Sequence, residues 1–183
     1  DTELNLYSAR HYQTDEALYK NFEKATGIRI NRIEAQTIAR AIMQHAQQSP
    51  QLSLGVAAFS LQQKVAIQDE LELLRRQQPE AESFFVAHPN EPFFIKNLEN
   101  VQGDERDVIF ISVAYARNAQ GYLPMRFGPV SADGGERRLN VLISRAKQRC
   151  EVFASITADD IDLERGKGKG VAALKVFLQY ADR

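Results

Sequence analysis

The chain has 183 residues, 44% of them apolar, and a formal net charge of −1, enough for one packed core with or without an appendage. Its single cysteine, Cys150, rules out a disulfide framework and fits a reducing, cytoplasmic compartment. No apolar run nears the ~18–20 residues of a membrane span, and the near-zero charge is not the footprint of a typical nucleic-acid binder.

In chain order, residues 3–8 read as a strand, 14–26 as a helix ended by Gly27, and 28–31 as a second strand, a βαβ opening. A helix follows over 32–48, with Ile33, Ile38, Ala41, Ile42 and Ala46 apolar. Then come a strand over 53–59 and a helix over 60–77 carrying Val65, Ile67, Leu71 and Leu74. Phe84-Phe85-Val86 and Phe93-Phe94-Ile95 read as short strands about Pro89 and Pro92, and residues 107–114 as an apolar strand. The glycine- and proline-rich stretch 117–135 is too long to be punctuation and is expected to be a mobile loop. A helix over 136–147, a strand over 149–155 holding Cys150 as a buried thiol, and a helix over 170–182 close the chain. Strands alternating with helices imply right-handed βαβ units and a three-layer αβα sandwich with a mainly parallel sheet. Functional loops should gather at the C-terminal ends of the strands, with Gln63, Glu105 and Arg145 near that edge.

Two polar clusters at the ends of apolar segments carry chemistry. Gln102-Gly103-Asp104-Glu105-Arg106 precedes an apolar strand, and Arg138-Leu139-Asn140-Val141-Leu142-Ile143-Ser144-Arg145-Ala146-Lys147 has helical spacing. Taken alone, the first is a turn with a solvated charged loop, and Arg138 and Arg145, seven apart, share a helical face suited to surface ion pairs. Together they resemble the fifth and sixth motifs of superfamily 1 helicases, in the branch of the nonsense-decay and splicing-factor helicases. Asn31-Arg32-Ile33-Glu34-Ala35 resembles the helix start of that branch. Residues 54–59, followed by Gln63, resemble the fourth-motif strand and its glutamine.

That resemblance spans residues 31–183 and implies the second of two RecA-like domains, of P-loop NTPase type, with ATP in the cleft between them. It implies that Glu105 contacts the ribose, and that Gln102, Gly103 and Gln63 stand at the nucleotide side. Arg145 would be the arginine finger, and Arg138 a second phosphate contact or a partner of Glu105. A planar guanidinium suits the charge spread over the γ-oxygens, and such fingers are worth ~10³–10⁵ in rate elsewhere. No G-x-x-x-x-G-K-[ST] occurs in the sequence, and Asp69-Glu70 lies inside a helical segment. Gly166-Lys167-Gly168-Lys169-Gly170 has the wrong spacing for a phosphate loop and reads as a flexible surface loop. ATP and Mg²⁺ are therefore expected only with the first RecA-like domain, and none in isolation; the parent's partner would be single-stranded nucleic acid. Isolated, the chain should be inactive.

Residues 3–31, LNLYSARHYQTDEALYKNFEKATGIRIN with its flanks, resemble the N-terminus of periplasmic ferric-iron-binding proteins of ABC transporters. His11 and Tyr12 stand where some members place metal ligands, but two ligands do not close an iron site, and no metal site is expected. The two resemblances meet near residues 28–35, which implies a chimera: 1–183 as one α/β domain, with 1–30 of iron-protein type and 31–183 of helicase type. Asp1-Thr2-Glu3 opens as a mature or trimmed start would. The alternatives are a recombined domain without a function of its own, or a metal- or anion-binding module through the N-terminal segment.

Overall fold

The computed structural model describes residues 31–118 and 120–182. Helix α1 spans Arg32–Gln48 and is capped by Asn31, whose side chain accepts the Glu34 N–H. Strand β1, Leu54–Ala58, is buried along its whole length, as a central parallel strand should be. Helix α2, Leu61–Gln77, starts at Ser60, which caps the Gln63 N–H. A short helix α3, Glu82–Ala87, leads to β2, Phe94–Asn97. Strand β3 is Arg106–Ser112, α4 is Gly135–Ile143, β4 is Ala146–Phe153 and α5 is Lys169–Ala181.

The four strands are parallel, in the order β2-β1-β3-β4. One face of the sheet, with Val56, Ala58, Val108 and Phe110, packs on α1, α2 and α3 through Ile38, Ile42, Ile67 and Phe84. The other, with Ala57, Ile109 and Ile111, packs on α4 and α5 through Leu139, Leu142, Leu174 and Leu178. Helices on both faces of a parallel sheet make the expected three-layer sandwich. The Arg32–Glu70 ion pair, 2.9 Å and nearly buried, ties α1 to α2. Among the described residues no helix is long and apolar enough to cross a membrane.

Several expectations are corrected. Phe84-Phe85-Val86 is helical, not a strand. A strand would put Phe85 opposite Phe84, whereas both rings meet Phe93, at 6.3 and 5.1 Å, and Val86 turns out to 79% exposure. Tertiary packing overrides the strand propensity of three residues. The helix expected over 136–147 stops at Ile143, because the chain must pair with β3 from Ala146 onward. Arg145 therefore lies in a turn rather than on a helix, and Arg138 and Arg145 share no helical face.

The stretch 117–135, expected to be mobile, sends Leu123, Phe127 and Val130 into the core at 0–2% exposure. Its Val130 carbonyl lies against Gly135 and Gly170, where an added Cβ would come within 1.8 Å of the oxygen. These two glycines let the loop pass close beneath α4 and α5. Gly166 and Gly170 are buried, so the glycine-lysine stretch is only partly a surface loop. Ile33 is 63% exposed; the inward stripe of α1 is Glu34, Ile38 and Ile42, four residues apart.

Candidate functional site

Parallel strands give the sheet one N-terminal and one C-terminal edge, and the polar groups of this chain divide between them. Glu105 precedes β3 and Arg145 precedes β4. The Arg106 N–H donates to the Arg145 carbonyl at 3.1 Å, so the strand ladder itself sets the two side chains beside each other. Arg145 Nη1 lies 3.4 Å from Glu105 Oε1, although the residues are 40 apart in sequence. Arg145 Nε also donates to the Val141 carbonyl at 3.3 Å, which steadies the guanidinium over the end of α4. Glu105 is 55% exposed and Arg145 22%. Gln102 and Gly103 are exposed in the turn just ahead; the Asp104 N–H closes that turn on the Val101 carbonyl at 3.1 Å, and Gly103 supplies its φ of 88°.

Around this pair the edge is dense with charge. The Ser53 hydroxyl lies 2.5 Å from Glu91 and 3.1 Å from Asp107, and accepts the Asp107 N–H at 2.9 Å. A bulge in β4 opposite Arg106 and Val108 aims Lys147 at Glu91 and Gln148 at Asp107. Lys147 and Ser53 hold the Glu91 carboxyl below its ordinary range, and bonding from Ser53 and Gln148 does the same for Asp107.

The remaining expected residues lie elsewhere. Arg138 donates to the Asp133 and Pro129 carbonyls, at 2.8 and 3.2 Å, fastening the loop ahead of α4 rather than meeting Glu105. Gln63 is fully buried near the opposite edge. Its amide donates to the Asn31 carbonyl at 2.9 Å and accepts the Asn31 N–H at 3.0 Å. Gln63, Glu105 and Arg145 are thus not gathered at the C-terminal edge; Glu105 and Arg145 sit at the N-terminal one. His11 and Tyr12 lie outside the described residues. Cys150 is in β4 as expected, only partly buried; burial pushes its thiol up to about 11.

At the C-terminal edge the structure assembles a cluster that the sequence reading passed over. Glu34 Oε1 accepts from the Ser112 hydroxyl at 2.5 Å and from the Ala114 N–H at 2.8 Å. Its Oε2 accepts from Asn31 Nδ2 at 3.0 Å, and Asn31 Nδ2 also reaches Ser155 Oγ at 2.6 Å. Ala114 holds φ at 71°, the left-handed region, alone among the described non-glycine residues. Burial raises the Glu34 pKa from 4.5 to about 7, against the pull of these hydrogen bonds. The signal was present in the sequence: a carboxylate on the apolar stripe of Ile38 and Ile42, three residues after a capping asparagine.

Beside this cluster a crevice of about 690 Å³ opens between the loops after β1 and β3, lined by Phe59, Gln62, Tyr115 and Arg126. The loop after β1 turns to the α2 face and that after β3 to the α4 face, so the crevice is the switch point of the sheet.

Comparison with known proteins agrees with this architecture. The model of the AAA domain family, of P-loop NTPase type, matches residues 4–157. The chain is 37% identical over 160 residues to an uncharacterised ATP-dependent helicase of Mycoplasma pneumoniae, the MG140 homolog; the match covers 83% of this chain and 14% of that protein. It is 45% identical over 92 residues to the ATP-dependent helicase MG140 of Mycoplasma genitalium, half of this chain and 8% of the relative. The chain therefore spans only a small part of these proteins. A separate match, 59% identical over 32 residues, is to iron uptake protein A1 of Synechocystis, 18% of this chain and 9% of that protein. Over most of its length, the chain belongs to the AAA domain family.

Proposed function

We propose that residues 31–183 serve as the second RecA-like domain of an ATP-dependent helicase, acting on single-stranded nucleic acid in the cytoplasm. The observation that carries this reading is the meeting of Glu105 and Arg145 at one sheet edge, 3.4 Å apart. A partly exposed guanidinium beside an exposed carboxylate fits one side of a nucleotide: Arg145 for the γ-phosphate, Glu105 for the ribose hydroxyls. Gln102 and Gly103, exposed in the adjoining turn, complete that side. Arg138 shapes the loop before α4, and Gln63 fixes the entry to α1. ATP and Mg²⁺ are proposed to be held chiefly by a first RecA-like domain, which supplies the phosphate loop. The names of the relatives as ATP-dependent helicases support the nucleotide.

Residues 1–30 are proposed to derive from an iron-uptake-type protein, in line with the 32-residue match. ATP turnover by this chain alone is expected to equal a protein-free blank. Turnover that survives purification and disappears in Arg145→Ala would show that the chain holds a complete site.

A further inference from the structure

Next to Glu105, at the first position of β3, Arg106 is only 6% exposed. Its guanidinium forks onto main-chain carbonyls. Nε and Nη2 donate to the Pro92 carbonyl at 2.9 and 2.7 Å, and Nη1 donates to the Glu105 carbonyl at 2.6 Å. Its backbone N–H holds the Arg145 carbonyl at 3.1 Å. One residue thus fastens the main chain of both members of the Glu105–Arg145 pair. The Arg106 guanidinium lies 4.8 Å from the centre of the Phe94 ring, and the Lys96 ammonium lies over the same ring at 5.1 Å. Lys96 in turn bonds Asp104 at 2.6 Å, so the turn ahead of β3 is tied to β2 at two successive residues. Gly55 of β1 makes the room, since a Cβ there would come within 2.4 Å of the Phe94 ring.

A nearly buried cation is costly, and an apolar side chain of similar volume would fill the same space more cheaply. Among the described residues Arg106 meets no carboxylate at ion-pair distance; its hydrogen bonds go to carbonyls. The charge is therefore kept for the geometry it imposes. We propose that Arg106 is a positioning residue: its fork fixes the Glu105 main chain against the Pro92 carbonyl, and so presents the Glu105 carboxylate and the Arg145 guanidinium as a preformed pair. The inference rests on the reading of that pair as nucleotide-facing. Only arginine has the planar fork that holds two carbonyls in one plane; lysine keeps the charge and loses that geometry. A site whose supporting residues are locked spends less on ordering when its ligand arrives.

The test follows the Arg145 Nε–Hε resonance of the full chain by NMR, in the native sequence, in Arg106→Lys and in Arg106→Met, each with and without Glu105→Gln. In the native background Glu105→Gln should shift this resonance, because the carboxylate beside the guanidinium is gone. In both Arg106 variants the same substitution should leave it in place, while the Ile109 and Ile111 amides stay protected from exchange. A shift of equal size in all three backgrounds overturns the proposal. So does loss of the folded state in both variants, since Arg106 would then hold the fold rather than the pair. Inorganic triphosphate separates this inference from the reading beneath it. It should move the Arg145 resonance of the native chain, with affinity about 10-fold weaker in Arg106→Lys. A native chain that ignores triphosphate while the Glu105 coupling still depends on Arg106 overturns the nucleotide reading and leaves the positioning role standing.

Discussion

At the C-terminal edge of the sheet, Glu34 is buried and spends both carboxylate oxygens on groups of its own fold: Ser112, Ala114 and Asn31. At the N-terminal edge, Glu105 stands 55% exposed and touches Arg145 at the loose distance of 3.4 Å. The two edges thus use carboxylates for opposite ends. Glu34 is committed to holding the start of α1 against the end of β3, and ionising it works against its burial. Glu105 and Arg145 cost the fold little and keep surface to offer a ligand. A carboxylate whose oxygens are satisfied inside the protein is structural; one that is only lightly paired is where binding can be gained.

The largest expected effect is at Glu34. Glu34→Ala leaves the Ser112 hydroxyl, the Ala114 N–H and the Asn31 amide without their acceptor, and should cost about 4 kcal/mol in urea unfolding. A cost near zero would move Glu34 to the exposed class and erase the contrast. Leu142→Ala, at 1% exposure on the inward face of α4, should cost about 2–5 kcal/mol. That loss would place the helix between the two edges firmly in the core.

The pH dependence sharpens the comparison. The Glu34 pKa is about 7 folded against 4.5 unfolded. Below pH 4.5 both states are protonated and nothing is lost. Between 4.5 and 7 the unfolded state ionises first, so stability falls by roughly 3 kcal/mol and then levels. Glu34→Gln should remove this slope, read as a wild-type-minus-variant difference that declines from pH 4.5 to 8; a flat difference would contradict the burial of the charge. Glu91 and Asp107, whose pKa values are lowered by their partners, act with the other sign. Their contribution is in place above the ordinary carboxylate range and is lost as the pH falls through their folded values.

The smallest effect on stability should be at the N-terminal edge. Arg145→Ala is expected to shift stability within about ±0.5 kcal/mol, as exposed ion pairs do. If Arg145→Ala proves more damaging than Leu142→Ala, the arginine is structural, and the proposal that it faces a nucleotide loses its main support.

Much of the architecture was legible from periodicity. The helix over 32–48, the buried run of β1 and the strand at β3 follow from spacings of 3.6 and from continuous apolar stretches. The residues proposed to face a nucleotide were legible only by resemblance, since a turn with charges and two arginines seven apart are ordinary surface features. Their placement was misread where a local pattern competed with a distant partner. The helical spacing of residues 138–147 is real, but the ladder with β3 takes over from Ala146. The loop 117–135 looked mobile because glycines and prolines dominate it, yet Leu123, Phe127 and Val130 fill space beneath α4 and α5.

By itself, the sequence determined the alternation of strands and helices, the parallel three-layer architecture and the residue types suited to a polyphosphate. These depend on patterns within ten to twenty neighbouring residues, where backbone geometry decides which side chains share a face. Only the tertiary structure decided which edge each group occupies. It set Glu105 against Arg145 across a strand pair, and turned Glu34 from a helix-start acid into a buried hub. Edge, burial and partner are properties of strand order and register, which join residues dozens of positions apart and leave no local trace in composition or spacing.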